Sequence, residues 1–172
     1  TGILSTQQPE NPTPDSYISD PINPVPTVGG NNLFIPAGPM DQSRIEGRTD
    51  ILKFTSAVLT EPIEVTGRTK AELYVASSGV DTDFIVKLCD VYPDGKSILI
   101  AEGILRAKYR NTFEKARPIE KGKIYKCEID LDYVSIIFNR GHRIRVLISS
   151  SNFPRFAVNP NPEKIFQQMM RR

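Results

Sequence analysis

Two features of this 172-residue chain invite a catalytic reading: the run SSSNFPRF (residues 149–156) and the single histidine, His142. A hydrolytic triad needs a nucleophile, a histidine base and an acid that orients it. Any such device here would run through His142 with Ser149 or Ser151. The surrounding sequence argues against it. His142 follows Gly141 in FNRGHRIRV, at a turn that opens a strand. No G-x-S-x-G elbow is present, nor the strand–turn–helix context that one requires. Ser149, Ser150 and Ser151 close a strand, where alternation sends neighbouring side chains to opposite faces. Small hydroxyls there satisfy backbone groups as the chain leaves its sheet. Asn152 suits a turn, Pro154 stops the ladder, and Phe153 and Phe156 can pin the exit loop. The run therefore reads as a strand terminus and corner. His142 reads as structural, its ring bonding a backbone group at the turn.

Two D-x-D pairs are the other candidates, Asp81 with Asp83 in GVDTDF and Asp130 with Asp132 in IDLD. Paired carboxylates bind calcium or perform acid–base chemistry. In an extended run both members of a pair lie on one side, yet two pairs supply too few ligands for a calcium cage. They read as strand-end carboxylates that bond backbone N–H groups or arginines, with Arg106, Arg143 and Arg145 as available partners. Metal-ligand spacings of the C-x-x-C or H-E-x-x-H kind are absent, as is a phosphate-cradling glycine loop ahead of a helix. No metal and no cofactor is expected. Cys89 and Cys127 each sit in an apolar, strand-like run and read as buried thiols; spacing alone cannot establish a disulfide between them.

The elements that must position these residues are short strands. Runs rich in strand formers occupy 51–59, 63–78, 84–92, 97–110, 124–134 and 143–151. Val65, Ala71, Leu73 and Val75 share one parity. Ile144, Val146 and Ile148 face one way, while Arg143, Arg145 and Leu147 face the other. Pro93-Asp94-Gly95 is hairpin chemistry, because Pro presets φ and Asp-Gly accepts a positive one. Strands with turn signals between them and no helical period predict an all-β, antiparallel β-sandwich, residues 31–162. Residues 1–30 carry six of the fourteen prolines and no apolar period. They read as an extended connector lying on something else. Residues 163–172 read as a short helical tail, with Asn161 as its cap, Pro162 in its first turn, and Ile165, Phe166, Met169 and Met170 as its apolar stripe.

Twenty-two basic residues against twenty acidic ones leave a formal charge of +2. That balance suggests neither a nucleic-acid nor a membrane-surface protein, and no apolar run approaches the ~20 residues of a membrane span. A chain without Trp, whose Tyr and Phe sit mostly in strands and turns, lacks the usual sugar platform. No signal-peptide pattern opens the sequence, which favours a cytoplasmic protein. Thr1 at the start reads as a cut boundary, which keeps export open.

Four segments resemble, in order, one family: DPINPVPTVGG (20–30), GPMDQSRIEGRTDILKFTSAVLTEPIEVTG (38–67), VDTDFIVKLCDVYPDGKSILIAEGILRAKYR (80–110) and FNRGHRIRVLISSSNFPRFAVNPNP (138–162). They are similar to the C-terminal domain of the X-Pro dipeptidyl-peptidase and cocaine-esterase type of serine hydrolase. That family also contains α-amino-acid ester hydrolases and cephalosporin acylases. The resemblance implies a galactose-binding-like jelly roll. Its catalytic Ser, Asp and His would belong to an upstream α/β-hydrolase domain of the same polypeptide, so none of them maps onto this chain and the chain alone is expected to be inactive. It implies a domain that packs on the catalytic domain, helps wall the substrate cleft and takes part in homodimer contacts. Leu33 and Phe34, just after the PVPT-x-GG turn, would reach the acyl pocket. Asp81, Asp83, His142, Arg143, Asn152, Phe153 and Arg155 would serve the domain interface or the fold. The alternative is a stand-alone sandwich that binds carbohydrate or protein. One departure stands out: the family continues past the NPN motif to a closing strand, whereas this chain runs EKIFQQMMRR and stops. An open sheet edge invites association.

Overall fold

The computed structural model describes residues 2–7, 10 and 13–160. The helical tail expected over 163–172, with its cap at Asn161, lies outside the described residues. Among the described residues seven strands form: β1 (Gly2–Ile3), β2 (Leu52–Thr55), β3 (Ile63–Val75), β4 (Asp83–Val91), β5 (Ser97–Arg106), β6 (Tyr125–Phe138) and β7 (Arg143–Ser149). They form two sheets, ordered β1-β2-β7-β4-β5 and β3-β6. All neighbours are antiparallel except the short parallel pair β1–β2. The result is the β-sandwich that the strand pattern predicts, in keeping with the jelly roll that the family resemblance implies.

Each strand forms for a reason visible in its residues. β3 alternates strictly, and its half-buried parity supplies Ala71, Leu73 and Val75 to the inter-sheet core. β4 is buried along nearly its whole length, which its almost continuous apolar run (FIVKLCDV) anticipates for a strand covered on both faces. The β4–β5 hairpin closes as expected, with Gly95 N–H donating to the Tyr92 carbonyl at 2.9 Å and Gly95 at φ +93°. β6 runs four residues past the expected end at 134, because its alternation is reset midway. Cys127, Ile129 and Leu131 face the core, then Asp132 takes φ +71° and Phe138 is buried on the opposite parity. The pairing with β3 slips between Arg68 and Lys70 at the same place. An inserted residue of this kind re-aims every side chain after it.

The apolar residues form two layers rather than one. Phe84, Val86, Leu105, Cys127, Ile129, Leu131 and Ile148 fill the space between the sheets. Val25, Val28, Ile45, Ile51, Cys89, Leu99 and Leu147 form a second layer. Cys89 and Cys127 are thus buried, free and in different layers.

The string 149–156 is what fastens the proline-rich segment to the second layer. Ser151 Oγ accepts from the Val25 N–H at 2.8 Å, and Tyr17 and Ser150 hydroxyls meet at 2.7 Å. Phe153 donates to the Val25 carbonyl at 2.9 Å, and the Thr27 N–H donates to the Phe153 carbonyl at 2.7 Å. The Arg155 N–H donates to Thr27 Oγ1 at 3.1 Å. Backbone groups that leave a sheet under cover must find such partners. The three serines and Asn152, all buried, belong to this seam.

Candidate functional site

The D-x-D carboxylates and His142 are each held by a neighbour. Asp83 receives both Arg106 Nε (2.8 Å) and Nη2 (2.9 Å), and Asn159 Nδ2 bridges Asp81 (3.1 Å) and Asp83 (3.0 Å). Asp81 also accepts from the Lys108 N–H at 3.0 Å. Arg143 and Arg145 go elsewhere, contrary to the sequence expectation. β7 pairs with β2, so Arg143 donates to the Ser56 carbonyl at 3.0 Å, and Arg145 reaches Thr55 Oγ1 at 2.9 Å and forms an ion pair with Glu46. Asp130 and Asp132 do not share a side, because the bulge lies between them. Asp130 pairs with Arg68, which holds its carboxyl below the usual range, and also accepts from the Asp132 N–H.

The His142 ring meets a carboxylate rather than the backbone group expected. Its Nδ1 lies 2.9 and 3.0 Å from the two Asp90 oxygens, and the Tyr92 ring sits 4.5 Å away. The register pairs Val91 with Arg143 and so sets position 90 beside the turn. Among the described residues no serine hydroxyl lies within hydrogen-bonding distance of the ring.

Around one loop the structure gathers residues that the sequence reading left unconnected. Gly30 and Gly38 exchange reciprocal backbone bonds of 2.8 and 3.0 Å and so close the 30–38 loop at its base. Asn32 braces it from within, donating to the Gly29 carbonyl at 3.0 Å and accepting from the Ile35 N–H at 3.1 Å. Leu33 and Phe34 stand on this loop 92% and 97% exposed. The two glycines that enter the loop, Gly29 and Gly30, are required. Gly29 and Gly30 take φ +66° and +88°, and a Cβ on Gly30 would fall 1.7 Å from Glu102 Oε1.

Beneath Gly30 lies a buried ionic base. Glu102 pairs with Arg155 Nη1, and its second oxygen accepts from Asn152 Nδ2 at 2.8 Å. Lys87 stands directly opposite Glu102 across the β4–β5 ladder and donates to Gln42 Oε1 at 3.0 Å. Gln42 in turn donates to the carbonyls of Val28 (2.8 Å) and Met40 (2.9 Å). Burial pushes the Lys87 ammonium pKa down, against the pull of Glu102. A cleft of about 630 Å³ opens beside the loop, walled by Gly30 to Asn32, Glu102, Arg155 and the β6 bulge from Leu131 to Ile136. Sequence reasoning named Arg155 and Asn152 but missed Lys87 and Glu102. Their signal was a lone charge inside an apolar strand run, FIVKLC and LIAEGIL, since an ionisable group is rarely buried without a partner.

Fold and site together define a jelly-roll sandwich that carries an outward-facing apolar loop on a buried ionic base. The chain belongs to the family described as the X-Pro dipeptidyl-peptidase C-terminal non-catalytic domain, which matches residues 2–169. It is 48% identical over 162 residues to cocaine esterase from Rhodococcus sp. (strain MB1 Bresler), a match covering 93% of this chain and 28% of the esterase. The crystal structure of an aminopeptidase from the marine sediment archaeon Thaumarchaeota archaeon superposes with a TM-score of 0.85 at 33% identity, over 93% of this chain and 29% of that one. An α-amino acid ester hydrolase superposes at 0.77 and 32% identity, over 84% of this chain and 26% of the other. The chain thus spans under a third of the length of these relatives.

Proposed function

We propose that this chain is the C-terminal sandwich of an α/β-hydrolase-type serine hydrolase, which cleaves an ester, an amide or an X-Pro dipeptide through an acyl-enzyme on an upstream serine. In this reading the sandwich packs on the catalytic domain and the 30–38 loop helps wall the substrate cleft. The observation that carries it is the placement of Leu33 and Phe34. Two adjacent apolar side chains, almost wholly exposed on a loop braced at its base and from within, suit the wall of a pocket formed with another domain. Ile18 and Ile22, 88% and 94% exposed, are further apolar side chains open to such a domain.

The first test is the intact mass of the natural product that carries this sequence, with its upstream peptides sequenced. A mass far above 19.3 kDa with a G-x-S-x-G segment upstream is the expected result. A mass near 19.3 kDa, with saturable binding on a glycan or protein array, would make the stand-alone binding module the better reading. The isolated chain is expected to show no ester turnover. Turnover that survives purification and is lost in His142→Ala would overturn the proposal.

A further inference from the structure

We propose that the Glu102–Arg155 ion pair, locked by Asn152, is a positioning element that sets the pose of the Leu33–Phe34 loop. The inference rests on the proposed role of that loop and adds the residues that control it.

The 30–38 loop meets the sandwich through its base at Gly30, and there Glu102 Oε1 occupies the space that a Cβ would take, with Arg155 Nη1 within 3.1 Å of the same point. Asn152 fixes the other carboxylate oxygen. Arg155 is tied to the incoming segment through Thr27 and stacks on Phe156 at 4.9 Å. Three residues from one short string, Asn152, Phe153 and Arg155, therefore hold both ends of the base: the segment that leads into the loop and the carboxylate that the loop rests on. Gly30 to Asn32, Glu102 and Arg155 all line one cleft, so the loop base and the ion pair share a wall that solvent reaches. A change in the pair is thus felt at Leu33 and Phe34 before it is felt in either apolar layer.

The test uses the full natural polypeptide and two readouts. In hydrogen–deuterium exchange, Arg155→Met and Glu102→Gln are expected to speed exchange of the Gly30, Ile35 and Gly38 amides at least tenfold, while β3 and β6 exchange as in the wild type. Arg155→Lys, which keeps the charge, stays within about threefold of wild type. If Arg155→Met fails to fold, Glu102→Gln, which leaves the shape of the carboxyl in place, carries the comparison. Unchanged loop exchange overturns the inference. So does an acceleration spread evenly over loop and strands, since the pair would then serve only the core. In steady-state hydrolysis of an ester with a bulky acyl group, Phe34→Ala and Arg155→Met are both expected to raise KM severalfold and leave kcat within twofold. A KM unmoved in both variants, with the loop amides still accelerated, would refute the pocket role of Phe34 and leave the positioning role of the ion pair standing.

Discussion

At the residue scale, single atoms decide how closely the sheets approach. Gly103 on β5 lies against β6, and a Cβ there would sit 2.0 Å from the Asp130 carbonyl oxygen and 3.0 Å from Ile129 Cγ2. The carbonyl belongs to paired backbone of β6 and cannot swing aside, and the Ile129 side chain is itself buried. Gly103→Ala is therefore expected to cost about 1–3 kcal/mol, read as a lower denaturation midpoint. Gly47→Ala, where a Cβ meets open space, stays within about 0.5 kcal/mol. Cys89 makes a second prediction. Burial pushes its thiol up from 9.0 to about 12. Below pH 9 the folded and unfolded chains both keep the proton. Between 9 and 12 only the unfolded chain releases it, so stability falls with rising pH by about 1.4 kcal/mol per unit at most. Tyr17, also raised by burial, adds a fall of the same sign from its ordinary 10.0 upward. Lys87, pushed down, acts in the opposite sense below its ordinary 10.5. Cys89→Ala isolates the thiol: urea midpoints at pH 7, 9 and 10 should fall less steeply than in the parent chain, and equal slopes would count against it.

At the scale of elements, the strands form from local pattern, but their ends are held by distant partners. Just past β7, two hydroxyls bind residues more than 120 positions earlier: Ser150 meets Tyr17, and Ser151 accepts from Val25. Ser151→Ala leaves that buried N–H unsatisfied, at an expected cost of about 1–3 kcal/mol. Exchange of the Val25 amide should accelerate with it. Ser43→Ala, whose hydroxyl bonds Asp41 on the surface, should leave the midpoint unchanged. The outer face of β3–β6 follows a different logic. Lys70 pairs with Glu128 and Lys126 with Glu72, all exposed, and such pairs set register and solubility more than stability.

For the whole molecule, the consequence of two apolar layers is that the larger sheet is buried on both sides. Leu147 is 2% exposed within the layer beneath the proline-rich segment. Leu147→Ala is expected to cost about 2–5 kcal/mol and to shift one transition, seen identically by circular dichroism and tyrosine fluorescence. A separate early transition for this variant would mean that the segment from Val25 to Ile51 melts independently of the sandwich. Cooperative loss is expected because Lys87 on β4 donates to Gln42, which in turn donates to the Val28 carbonyl, and opening this buried link takes from the Lys87 ammonium its acceptor.

The sequence by itself determined the β class, six of the strands, the Pro-Asp-Gly hairpin, the buried thiols and the family resemblance. Each of these depends on alternation, turn chemistry or a contiguous motif, which neighbouring residues encode. Only the tertiary structure decided where alternation resets at Asp132, that His142 faces Asp90, that Arg143 and Arg145 turn toward β2 and Glu46, and that Glu102 and Arg155 meet under Gly30. These pairings join residues tens of positions apart. They follow from the order of strands in the sheet, and no local spacing carries that order. The serine-rich string shows the division well. Its chemistry as a corner was legible from its residues, whereas the partners it holds, Val25, Thr27 and Glu102, were fixed only when the sandwich closed around them.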